Sequence, residues 1–305
     1  MAAAGVATSN LELGDSGPPT GGTTSTGGAS SEGGKGGTAG SFAGGGTTST
    51  GGKSSAGGAP PTGGTAGLGG FSGTAGVAGT THCPGTGGPT MVRLPLGYCI
   101  DSTEVTRAQY KTWLDTNPPT TGQISECSWN TSFTPSKEWP PTDKLNYPVA
   151  YVDWCDSYAY CLAAGKRLCG KIGGGSNTYT DYNNATKSQW FAACSSGGVN
   201  RYPYGNNFNG TTCNSNEAGY HAPVAVGFLV DCNPAPPYAG IYDLSGNVAE
   251  WEDSCEGTVK YQYCHLRGGA YCPHLNLKQD ACGRVPYGSN RNNNLDPHYG
   301  FRCCS

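Results

Sequence analysis

Charge is scarce in this chain, at 13% of 305 residues, and no cluster of Lys or Arg breaks the near-balance that leaves a net charge of -3. A nucleic-acid-binding surface needs a basic stripe, so that function class is excluded. No run of 18 apolar residues occurs, which excludes a transmembrane helix. There is no CxxC pair and no HxxxH or HExxH spacing among His82, His221, His265, His274 and His298, so zinc-type ligand patterns are missing too. The first residues, MAAAGVATSNLELGDSG, hold neither a basic start nor an apolar core of leader length.

Glycine and cysteine are abundant, and they lie in different places. Residues 1–80 carry 27 of the 51 glycines, with Thr, Ser and Ala between them and only Phe42 and Phe71 as aromatics. GGTTSTGG occurs at 21–28 and again at 45–52, with no apolar face that could stack repeat on repeat. Such a segment is expected to be a disordered linker or tether, because it cannot offset its ordering entropy by burial. The foldable part is then residues 83–305, a size that supports one full core. All 15 cysteines and all six tryptophans fall there. That cysteine density points to disulfides and to an extracytoplasmic setting, secreted or at the cell surface, for which an export leader is expected.

Within this part the helix signals are readable. Thr106 with Gln109 has capping-box spacing and places Tyr110, Trp113 and Leu114 on one face. Asp153 is the expected cap of a second helix, with Trp154, Tyr158, Cys161 and Leu162 inward and Gly165 at its end. Thr186 with Gln189 predicts a third, turning Trp190, Phe191 and Cys194 inward before Gly197 and Gly198. Residues 115–147 read as a long ordered loop and 170–187 as a flexible excursion, both available for recognition. The segment 224–230 is a candidate strand among turn-rich sequence. Gly165–Lys171 matches the start of a phosphate loop, but Ile172 stands where a hydroxyl should meet Mg²⁺ and a helix precedes it.

The stretch GIYDLSGNVAEW, 240–251, is the centre of the reading. Asp243 and Glu250 flank Gly246, and with the Gly246 and Val248 carbonyls they would supply hard oxygen ligands for Ca²⁺. Spacing alone equally allows a tight turn with solvated acids.

The ordered series YCIDSTEVTRAQY, PVAYVDW, YCLAAGKRL, QWFAACSSGG, YPYG, GIYDLSGNVAEW, LRGGAY and GFRCC resembles the formylglycine-generating enzyme, or sulfatase-modifying factor, family across 91–304. The resemblance implies a compact, loop-rich α+β domain, related to C-type lectins, with few regular elements and bound calcium. It places a calcium loop on Asp243, Gly246, Val248 and Glu250, and the start of a second site on Asn214 and Ser215, whose completing acidic loop is shortened here. Active members oxidise a sulfatase cysteine with Cu(I) and O₂ through two cysteines after RGGSY. Those positions hold Pro273 and Lys278 here, with Cys272 one residue early and Cys282 further on. Three further family positions are changed, at Ala249, Ala270 and His298. The resemblance also implies disulfides Cys161 to Cys303 and Cys194 to Cys282, the second of which removes Cys282 from a copper pair.

Two functions follow. One is a non-catalytic binding or structural module with calcium and an unidentified protein or glycan partner. The other is an active oxidase holding Cu(I) between Cys272 and Cys282, with a sulfatase as substrate. The iron-dependent sulfoxide synthases that share the domain carry a helical iron-binding domain for which nothing here provides.

Overall fold

The computed structural model describes residues 82–272 and 281–305, and the expected tether at 1–80 lies outside them. Among the described residues, three short α-helices and eight short strands are set among 3-10 and other turns. Helix α1, Arg107–Leu114, starts where the capping box predicts: the Thr106 side chain accepts from Gln109 N and the Gln109 side chain accepts from Thr106 N. Helix α2, Trp154–Ala163, is capped by Asp153, which forms the same reciprocal pair with Asp156, and Gly165 follows it in the left-handed region at φ 71°.

Two details of the helices differ from the sequence reading. Leu162 is half exposed, and Tyr160 is buried instead. Six residues of α2, from Trp154 to Cys161, are buried, so the helix is covered on more than one stripe and Leu162 falls at its open edge. Helix α3, Gln189–Cys194, is capped by Ser188, not Thr186. Thr186 spends its hydroxyl on Asn184 Oδ1, whereas Ser188 Oγ accepts from Phe191 N and donates to Glu252 Oε1.

The strands make two four-stranded sheets. In the first, β1 (Met91–Arg93), β2 (Cys99–Asp101), β8 (Cys303–Cys304) and β3 (Arg167–Leu168) lie side by side, all antiparallel. In the second, β6 (Tyr287–Asn290), β5 (Tyr263–Arg267) and β4 (Ala249–Cys255) are antiparallel, and β7 (Tyr299–Phe301) runs parallel to β4. One apolar cluster joins Tyr110, Trp154, Tyr160, Trp251 and Phe301; another joins Ile100, Trp190, Ile241 and Leu244.

Residues 224–230 form turns instead of a strand. Gly227 sits at φ 70°, Val226 N bonds Asn146 O, and Phe228 and Val230 face solvent. Residues 170–187 are tied to the second sheet: Asn177 N donates to Asp253 O, Tyr179 stacks on His265 at 3.9 Å, and Tyr182 O accepts from Arg267.

Seven disulfides cross-link this frame, joining Cys83 to Cys99, Cys127 to Cys155, Cys161 to Cys303, Cys169 to Cys304, Cys194 to Cys282, Cys213 to Cys232 and Cys255 to Cys264. Bridges in this number need an oxidising compartment. Among the described residues no helix is long and apolar enough to cross a membrane.

Candidate functional site

The loop before β4 is built around left-handed backbone. Asp243, Gly246 and Asn247 have φ of 60°, 78° and 56°. A side chain at Gly246 would collide with the Asn214 carbonyl, so only glycine fits there. Asn247 then stitches the loop together. Its N–H donates to Asn214 O, its Oδ1 accepts from Val224 N and Asn214 Nδ2, and its Nδ2 donates to Glu104 Oε1. Asn214 therefore packs against the Asp243–Glu250 loop, while Ser215 turns away to donate to Gly210 O and Glu217.

Glu250 is buried in an ion pair. Arg302, between β7 and β8, donates to Oε1 at 2.6 Å through Nη2 and to Oε2 at 2.7 Å through Nε, and the Trp190 indole donates to Oε2 at 2.8 Å. Asp243 is held by Gly227 N at 2.6 Å on Oδ2. Its Oδ1, Glu104 Oε2 and Asn214 Oδ1 are all buried and receive no hydrogen bond among the described residues. Burial pushes Glu104 well above the usual carboxylate range, and the charge of Asp243 adds to this. Burial likewise lifts Asp243 to about 6.

Of three buried carboxyls here, Glu250 is paired with the buried guanidinium of Arg302, while Glu104 and Asp243 feel its charge without a bond to it. Fully ionised they leave an excess of two negative charges, which a proton or a cation must offset. Among the described residues no three His, Cys, Asp or Glu side chains converge as metal ligands. A cation would instead take Asp243 Oδ1, Glu104 Oε2 and amide or carbonyl oxygens, an all-oxygen set that suits a hard ion. Glu104, Asn247 and Arg302 did not stand out in the sequence. A buried Glu beside Val105 in STEVTR is the one signal that could have marked the first.

The neighbouring RGGAY segment hangs on the same loop, since Tyr271 N donates to Asn247 O. Arg267 lies over the Trp190 ring at 4.7 Å and donates to Glu252 Oε2, Tyr182 O and Cys282 O. Ala270 is fully buried, the Tyr271 ring leans on His298 at 4.9 Å, and His298 is paired through Nδ1 with Asp296. Burial, and then the charge of Cys272, push Tyr271 up to about 12. Cys272 is buried beside it and stands outside the seven disulfides. Cys282 is bonded to Cys194 with Cα atoms 5.6 Å apart, and Cys161 to Cys303 at the same separation. The thiolate pair that Cu(I) favours is therefore not assembled from Cys272 and Cys282.

Residues 63–305 match the Sulfatase-modifying factor enzyme 1-like domain. The chain belongs to that family. Among sulfatase-modifying factor relatives, the Inactive C-alpha-formylglycine-generating enzyme 2 of Bos taurus is 29% identical over 177 residues, 53% of this chain and 52% of its own length. The Formylglycine-generating enzyme of Mus musculus is 26% identical over 192 residues, 53% of this chain and 45% of its own. The chain thus spans about half the length of the curated relatives it matches. Among solved structures, Treponema denticola variable protein 1 is similar at a TM-score of 0.41 and 17% identity, over 68% of this chain and 84% of its own.

Proposed function

We propose that this family member is non-catalytic, a binding or structural module carried on a Gly/Ser/Thr-rich tether outside the cytoplasm. The observation that carries the reading is the Cys194–Cys282 bridge, which holds the one downstream cysteine near Cys272 in a structural bond. Replacement of the motif Ser by Ala270 and of the motif Asn by His298 supports it, as does the similarity to proteins named inactive. Calcium is part of the proposal, held at Asp243 and Glu104 as a structural ion. The direct test incubates the disulfide-intact protein with Cu(I), O₂ and a sulfatase-derived cysteine peptide. No formylglycine and no stoichiometric copper are expected. Turnover that disappears in Cys272→Ala would replace this reading with the oxidase.

A further inference from the structure

A cavity of about 990 Å³ opens between the loops at 200–213 and 230–239. The Cys213–Cys232 disulfide ties its two walls together, with Cα atoms 4.9 Å apart. One wall is aromatic. Tyr202 and Tyr204 stack at 5.4 Å with their planes 6° apart, and Phe208 leans on Tyr202 at 5.6 Å while keeping 51% of its surface exposed. Tyr204 and Phe208 line the cavity, and the exposed ring of Phe208 offers an apolar face on which a ligand ring could stack.

The polar lining is amide and carboxylate. Among the described residues, the side chains of Asn207 and Asp231 make no hydrogen bond or ion pair. Asn233 Oδ1 accepts from Gly240 N and Ile241 N, which fixes the amide and leaves its Nδ2 hydrogens uncommitted. No Lys, Arg or His lines the cavity. Phosphate, sulfate and acidic sugars would meet Asp231 with no compensating cation, and a wholly apolar ligand would cover Asn207, Asn233 and Asp231 without offering them a hydrogen bond.

We propose that this cavity binds a neutral oligosaccharide, a deepening that rests on the non-catalytic binding reading above. A pyranose ring has an apolar C–H face and a rim of hydroxyls. The face suits Phe208, and the rim suits Asn207, Asn233 and Asp231, which together offer both donors and acceptors. The volume is at the upper end for small-molecule sites and accommodates more than one sugar ring.

The test is calorimetric titration of the full, disulfide-intact chain with neutral cello-, manno- and chito-tetraose, and with a heparin tetrasaccharide as the anionic control. At least one neutral probe should bind, and Phe208→Ala should weaken it by about tenfold or more, with the melting temperature unchanged because the ring is half exposed. Asn207→Ala, also at an exposed position, gives a second line and should weaken the same probe. The proposal is overturned if no neutral probe binds at millimolar concentration, if neither variant alters binding, or if the heparin fragment binds more tightly. Copper and formylglycine measurements on the same preparation are independent of these outcomes, so loss of the sugar site and loss of the non-catalytic reading are told apart.

Discussion

A carboxylate taken out of water must find a cation or a proton, and Glu250 has found Arg302. Its three hydrogen bonds from Arg302 and Trp190 make it the centre of a buried polar knot. Glu250→Ala would remove the carboxylate hydrogen-bonded to Arg302 and leave the buried Trp190 indole N–H without its acceptor, a loss of about 3–5 kcal/mol in urea unfolding. The loss should be equal in calcium and in chelator, because this carboxylate is occupied by protein donors. Asp243→Asn is expected to behave in the opposite way, removing the calcium-induced rise in melting temperature at little cost in chelator. If Asp243→Asn responds to calcium as the parent chain does, the ion does not sit at this loop. His265 is the other residue with a measurable signature. Burial first, and then the charge of Arg267, lower it to about 3, with Glu252 at 4.0 Å, Ser254 at 3.1 Å and the Tyr179 and Tyr182 rings around it. Its folded pKa lies below its unfolded value of 6.5, so its contribution is whole above pH 6.5 and falls away as the pH drops toward 3. By pH 5 the loss should be on the order of 2 kcal/mol. His265→Gln should flatten the stability profile between pH 6.5 and 5, and an unchanged slope would show that the ring takes up a proton in the fold as readily as in water.

At the scale of elements, side chains at helix starts carry much of the local specification. Ser188 caps α3 and also binds Glu252, so Ser188→Ala should cost about 1–2 kcal/mol, and Thr186→Ala no more than about 0.5 kcal/mol. Equal costs at the two positions would return the cap to Thr186. The comparison also shows what the sequence could reveal. Thr106 and Asp153 were legible because a cap and its box partner are three residues apart. Thr186 and Gln189 satisfy the same spacing, and only Glu252, 64 residues from Ser188, decides between the candidates. The strands were illegible for a related reason. β3 and β8 are two residues each and pair across more than 130 positions, so neither shows an alternation long enough to read. In the site, Asp243, Gly246 and Glu250 could be marked from local pattern. Arg302 and Glu104 could not, since the bonds that define them, Arg302 to Glu250 and Asn247 to Glu104, join residues 52 and 143 positions apart.

At the scale of the whole molecule, strands this short and helices of six to ten residues do not specify one packing without long-range ties. The disulfides supply them, and unequally. Cys161–Cys303 and Cys169–Cys304 tie α2 and the turn after β3 to the last strand across sequence separations of 142 and 135, so the C-terminal strand cannot leave either partner. Cys255–Cys264 closes a separation of only 9 between strands that are already paired. In the chain-entropy account the cost of losing a bridge grows with the logarithm of the loop it closes. Replacing Cys161 and Cys303 together by Ala should therefore cost about 5 kcal/mol, and replacing Cys255 and Cys264 together about 3 kcal/mol. Equilibrium urea unfolding of the two double variants measures the difference. A larger loss at Cys255 and Cys264 would mean that native packing around the short bridge, and not restriction of the unfolded chain, sets what each disulfide contributes.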